Sequence, residues 1–228
     1  MTNMQASKLV VPILHCPMCT VPVPKWPCPH TRYDVIVVDP PWSYGSDSGR
    51  PNRTAEAHYK TIGNAGKEIN RRTGAGVENI VRSVPIGEWA ASDSHLYLWT
   101  TNPKLPFAFA VMEDWGFVYK TTLTWVKTTK TEAIHGGGMG WFFRGATEHV
   151  LFGVRGHMPI PSALRQPNAF DAPPTGMHSE KPARFYEIVQ SVSGATARKL
   201  DVFARRRRDG WDVYGDEVED EEKAQVGL

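Results

Sequence analysis

Cysteine is scarce in this chain, three residues in 228, which argues against a disulfide-stapled scaffold. A dominant charge is also lacking. Twenty-six Lys and Arg stand against 24 Asp and Glu, and the formal net charge of +2 is too small to name a partner. No apolar run approaches the roughly 20 residues that a membrane-spanning helix needs. The N-terminus has no charged-then-apolar secretory layout, so an intracellular chain without a membrane partner is expected. Internal repeats and extended low-complexity segments are missing as well. What remains is 41% hydrophobic and 22% charged, neither disordered nor collagen-like, at a length that suits one α/β domain with a small attachment.

The few cysteines are concentrated. Cys16, Cys19 and Cys28 fall in the string CPMCTVPVPKWPCPH with His30 beside them. Three thiolates and an imidazole suffice for tetrahedral zinc, and four protein ligands would make the site structural. In an intracellular chain this clustering fits a metal better than a disulfide. His15 could replace His30, and the alternative is reduced, unligated cysteines on a Pro-rich lead-in. Charge is blocked in the same way. Arg205, Arg206, Arg207 and Arg208 follow a strand-like segment from Leu200 to Phe203, which suggests phosphate binding at a strand end or, alternatively, a solvated loop. Asp216, Glu217, Glu219, Asp220, Glu221 and Glu222 form an acidic tail, expected to be solvated.

Hydrophobic patterning predicts the frame. Asp34 to Val38 is a β-branched run of the kind buried on both faces, and Asp39-Pro40-Pro41-Trp42 stops it. Similar runs recur at His95 to Thr100, Lys120 to Val126, His149 to Val154 and Lys199 to Phe203. Leu105 to Trp115 and Ala183 to Val192 read as helices. Strands alternating with helices predict an α/β fold with a mostly parallel sheet. Residues 60–76 and 156–177 read as long loops, the first carrying Lys60, Lys67, Arg71 and Arg72.

In such sheets ligands bind at the carboxyl ends of the strands. Asp39 sits there, followed by rigid proline carbonyls without neighbouring N–H donors and by Trp42 and Tyr44. A carboxylate, a rigid carbonyl and aromatic faces form a receptor for the exocyclic amino group of a planar base. Hydrogen bonds that pull this nitrogen toward tetrahedral geometry restore its lone pair for attack on a methyl sulfonium. The alternative is plain turn chemistry, for which Asp-Pro-Pro is well suited.

Asp39-Pro40-Pro41-Trp42 after a hydrophobic strand resembles the signature of the MTA-70 (MT-A70) family of S-adenosylmethionine-dependent N6-adenine methyltransferases. The resemblance continues through His58-Tyr59-Lys60-Thr61, Leu96 to Asn102, Trp115-Gly116-Phe117, Leu123 to Lys127 and Arg144 to His149. Further matching segments are Phe152 to Gly156, His178 to Pro182 and Asp201 to Arg205, so the likeness runs from about Tyr33 to Glu217. It implies a Rossmann-like methyltransferase fold with catalytic residues Asp39, Pro40, Pro41 and Trp42. Asp39 and Pro40 would hold the target amine, and Trp42 would pack on the base.

For the cofactor, S-adenosylmethionine, the resemblance implies Asp39, His178, Lys181, Asp201, Phe203, Arg205, Asp216 and Glu217. Lys181 would meet the methionine carboxylate, Asp201 the ribose hydroxyls, Arg205 the ribose region, and Asp216 and Glu217 the adenine. The family often has Asn where this chain has Asp216, which removes an N–H₂ donor. Substrate contacts are expected from Tyr44, Tyr59, Lys60, Arg71, Arg72 and Glu148. Simpler readings stand beside three of these: Lys181 as a solvated lysine, Glu148 as a structural hydrogen-bond partner and His178 as a helix cap. The F-x-G-x-G loop common in other amino methyltransferases is absent.

The expected organisation is a Cys/His segment at 1–31 with a possible structural zinc, a methyltransferase domain at 32–217 and an acidic tail at 218–228. The expected partner is nucleic acid, DNA more than RNA, because a compact chain resembles bacterial or phage members. The base must be flipped or already single-stranded. A monomer or homodimer in the cytoplasm, or in a host's cytoplasm if phage-encoded, completes the expectation. The competing readings are a non-catalytic nucleic-acid-binding subunit and an N4-cytosine methyltransferase.

Overall fold

A computed structural model describes residues 31–42, 81–137, 140, 142–175, 180–204 and 206–215. Among these, seven strands form one sheet in the order β5-β3-β4-β2-β1-β6-β7. The strands are β1 (Tyr33–Val38), β2 (Ala90–Thr100), β3 (Val118–Lys127), β4 (Thr147–Arg155), β5 (Ala169–Ala172), β6 (Lys199–Val202) and β7 (Trp211–Tyr214). The helical segments that accompany them include α1 (Ile86–Trp89), α2 (Leu105–Asp114) and α3 (Ala183–Val192).

Central β1 has the sequence Tyr-Asp-Val-Ile-Val-Val, with Val35 to Val38 fully buried. Its alternating side chains serve two cores. Ile36 and Val38 join Leu96, Leu98, Leu151 and the α2 residues Ala108, Val111 and Met112. Val35 and Val37 join Tyr97, Trp99, Val150 and the α3 residues Phe185 and Val189 on the opposite face. A strand covered on both sides needs apolar residues at every position, which explains a continuous run in place of an alternating one. Pro106 sits in the first turn of α2. Gly116, at φ 81°, ends the helix: its N–H reaches Glu113 O at 2.8 Å while Phe117 N–H reaches Met112 O at 3.1 Å, a paired glycine cap.

The pairing places the site. Strands β2, β1, β6 and β7 run parallel, with Val38 opposite both Leu98 and Val202. Their carboxyl ends therefore share one edge. Strand β4 runs antiparallel to β2 and β3, setting His149 opposite Thr100 and Glu148 opposite Trp125. This brings the start of β4 and the end of β3 to that same edge.

Two strands lie outside the sequence-based expectation. β5 forms within the stretch read as a loop and adds parallel to β3. β7 follows the arginine run and adds parallel to β6. Both are four residues long and are specified by an available sheet edge more than by their own period.

Candidate active site

Asp39 follows β1 directly, and its N–H donates to Val202 O at 3.2 Å. Lys181 lies just before α3, and Glu148 near the start of β4. These three meet at the carboxyl edge. Lys181 Nζ is 3.0 Å from Asp39 Oδ1 and 3.3 Å from Glu148 Oε2. Lys127, at the end of β3, donates to Glu148 Oε1 at 2.6 Å. The result is a chain of alternating charge, Lys127–Glu148–Lys181–Asp39. Two aromatic floors support the ammonium groups: Lys181 Nζ is 5.1 Å from the Trp99 ring centroid and Lys127 Nζ 5.0 Å from that of Trp125.

Lys181 is 8% exposed, which excludes the solvated reading. Burial by itself would lower its pKa, but Asp39 and Glu148 outweigh that and raise it. Burial pushes the Glu148 carboxyl upward, and Lys181 and Lys127 together reverse the shift to hold it below its ordinary value. Glu148 and Lys181 thus face each other as an ionised pair at neutral pH.

A second group lines the same cleft. Asp201, near the end of β6, is 1% exposed. Tyr186 of α3 donates to its Oδ2 at 3.0 Å and Arg208 donates to the same oxygen at 2.9 Å. The Arg208 guanidinium also stacks 3.4 Å from the Tyr186 ring centroid. Asp201 Oδ1 has no hydrogen-bond partner among the described residues. A buried carboxylate oxygen left over beside a cleft is an acceptor waiting for a donor. Asp39, Lys181, Tyr186, Asp201, Phe203 and Arg208 all line this cleft. Phe203 takes φ 63°, unusual for a residue with a side chain, and hydrogen bonds from Phe203 and Ala204 N–H to Tyr214 O at 2.5 and 3.3 Å hold it there.

Two expectations about the Asp39–Trp42 segment need correction. Trp42 turns inward: it is 5% exposed, donates from Nε1 to Trp99 O at 2.9 Å and meets Phe107 edge-on at 5.9 Å. It anchors the turn from inside the core, because a buried indole N–H needs a partner and finds one on β2. The Pro40 carbonyl does have a neighbouring donor, Trp42 N–H at 2.8 Å, which leaves it one further lone pair.

Of the four arginines, Arg206 pairs with Glu180 at 2.9 Å and Arg208 with Asp201. Arg205, His178, Asp216, Glu217, Tyr44, Tyr59, Lys60, Arg71 and Arg72 lie outside the described residues, as do Cys16, Cys19, Cys28 and His30. Among the described residues no group of three or more His, Cys, Asp or Glu could hold a metal, and no helix is long and apolar enough to cross a membrane. Sequence reasoning assigned no role to Lys127 or Tyr186. Each becomes visible only through register or helix docking.

A doubly wound sheet whose carboxyl edge carries a buried Asp–Lys–Glu cluster beside a cleft lined by both carboxylates and cations is consistent with a Rossmann-like methyltransferase fold. The MT-A70 profile matches residues 33–217, and the chain belongs to that family. It is 29% identical over 199 residues to the type II methyltransferase M.MunI of a Mycoplasma species, covering 84% of this chain and 80% of the relative. It is 28% identical over 195 residues to the N6-methyladenosine RNA methyltransferase MTA1 of Cryphonectria parasitica (82% and 52% covered). To the human N(6)-adenosine-methyltransferase catalytic subunit METTL3 it is 24% identical over 210 residues (86% and 31% covered). The chain thus spans about half and one third of the length of these last two relatives.

Proposed function

We propose that this chain transfers the methyl group of S-adenosylmethionine to the N6 amino group of adenine in nucleic acid, DNA in preference to RNA. The observation that carries the reading is the burial of Lys181 between Asp39 and Glu148 at the strand ends, with Asp201 across the same cleft. The preference for DNA rests on likeness to a type II methyltransferase across most of that protein's length.

The cofactor supplies an electrophilic methyl on a sulfonium. The residues present fit it: Lys181 offers a cation to its carboxylate and Asp201 offers Oδ1 to ribose hydroxyls. Asp39 accepts a hydrogen from the exocyclic amine, and the Pro40 carbonyl can take the other through its remaining lone pair. These contacts bias the nitrogen away from conjugation with the ring. Attack by the nitrogen would form the N–C bond as the C–S bond breaks and a neutral thioether leaves, and the nitrogen, cationic at that point, would give one proton to solvent water. The negative charge of Asp39 stabilises that developing cation, an electrostatic effect strongest in a partly dry cleft. Glu148, fixed by Lys127 and Lys181, borders the base. Tyr44, Tyr59, Lys60, Arg71 and Arg72 would contact base and phosphates; His178, Phe203, Arg205, Asp216 and Glu217 would complete the cofactor site. Cys16, Cys19, Cys28 and His30 would hold a structural zinc in a separate N-terminal segment. The setting is the cytoplasm.

Labelled-methyl transfer to matched single- and double-stranded DNA and RNA oligonucleotides, followed by nucleoside digestion, tests this reading. N6-methyladenine is expected from the wild type, with Asp39→Ala reducing the rate by about 100-fold or more. N4-methylcytosine as product, or binding without any transfer, would overturn it.

A further inference from the structure

The loop between β3 and β4 rises from the reactive edge. Its two stems end in Lys127 and begin again at Thr147 and Glu148, the residues that border the site. Phe142 and Phe143 on this loop are 95% and 91% exposed, well above every other exposed large hydrophobic among the described residues, the next being Ile134 at 69%. The backbone of this loop folds tightly on itself. Gly140 packs so closely on the Phe143 carbonyl that a Cβ at position 140 would collide with it. Arg144 and Lys130 are exposed on the same loop.

We propose that Phe142 and Phe143 are a stacking platform for the nucleobases flanking the target adenine, a role that rests on the reading of the site as a nucleic-acid adenine methyltransferase. An adenine can reach Asp39 only after it leaves the base stack, and its neighbours then lose a stacking partner. Aromatic rings beside the site replace that partner for any base, since every base offers a π-face. The size of the feature favours bases over a second copy of the chain. Two phenyl rings offer about 300–400 Å², and with the exposed Ile134 of the same loop the apolar area is still below the roughly 800 Å² that each partner in a stable dimer covers. The other exposed rings, Phe109 and Tyr119, pair with each other at 4.9 Å near the opposite end of β3 and do not extend the patch.

The test uses the full chain and a single-stranded deoxyadenylate 15-mer with a central 2-aminopurine, whose fluorescence is quenched by stacking. Wild type is expected to bind it and change the fluorescence. Phe142→Ala/Phe143→Ala should weaken binding by about tenfold or more and abolish the fluorescence change, with S-adenosylmethionine affinity intact. Phe142→Trp/Phe143→Trp should retain both. Equal binding and equal fluorescence in the alanine variant, or no binding by the wild type, overturns the proposal. So does a change from dimer to monomer in sedimentation of the alanine variant, which would assign the rings to a self-interface. A wild type that binds and stacks but transfers no methyl group leaves the platform standing and defeats the methyltransferase reading.

Discussion

Lys181 neutralises two carboxylates that approach it within 3.3 Å, each with only 16% of its side chain exposed. Such a residue has to exist before any ligand binds, because Asp39 and Glu148 facing each other without a cation would be costly. Lys127 shares the Glu148 carboxylate, donating to its Oε1 while Lys181 meets Oε2. Asp201 presents the opposite situation. Burial, with a contribution from Asp39, pushes its carboxyl up to about 7 against the opposing pull of Arg208 and Tyr186. The folded state therefore holds an extra proton from about pH 4 to 7, and stability from this group falls as pH rises across that window. Ligand binding should run the other way, since only the ionised form is a strong acceptor for hydroxyls. S-adenosylmethionine affinity, measured by calorimetry, is expected to rise several-fold between about pH 6 and 8 and to be weaker and flat in Asp201→Asn. The same slope in both proteins would remove Asp201 from cofactor recognition.

Among elements, β4 has the widest reach. It pairs with β2 and β3, carries Glu148 at one end and closes at the other in a turn that meets the strand opposite. Gly156 adopts φ 63° there, and a Cβ would strike Asp93 Oδ1 and Ser92 O. Asp93 meanwhile accepts the His157 N–H at 2.6 Å. Gly156→Ala is expected to lower stability by about 1–3 kcal/mol, read as a lower melting temperature, with cofactor affinity at low temperature preserved because the site lies at the far edge. An unchanged melting temperature would show that the turn relaxes freely. Helix α3 works differently. Its buried Phe185, Tyr186, Ile188 and Val189 fill the second core, and Tyr186 on that face also meets Asp201. Packing and site geometry are thus fixed by one helix orientation.

At the scale of the molecule, a methyltransferase sheet is preceded by a short segment with all three cysteines. A structural zinc there would be bound at about one equivalent per chain in metal analysis. Cys16→Ser/Cys19→Ser should lose it and melt at a lower temperature while retaining S-adenosylmethionine binding. Metal content near zero in protein purified without chelator would leave the cysteines as unligated thiols. The sheet itself separates two tasks: its two faces bury the cores, and its carboxyl edge gathers the charged groups.

The sequence by itself determined the strands with strong β-branched runs, the two longer helices, and the presence of Asp39 at a strand end. Each follows from a few contiguous residues: a doubly buried strand must be apolar throughout, and a proline pair must end it. Lys181, Glu148 and Asp201 were legible through motif likeness, but not their contacts. The tertiary structure alone decided that Lys127 would meet Glu148, because that requires the β3–β4 register. It also decided that Arg208 would hold Asp201 and that Trp42 would face inward. β5 and β7 were illegible for the same reason, as four-residue strands that exist because a neighbouring edge has hydrogen bonds to offer. Local period records which face is buried, whereas pairing between distant segments depends on the packing of both cores at once.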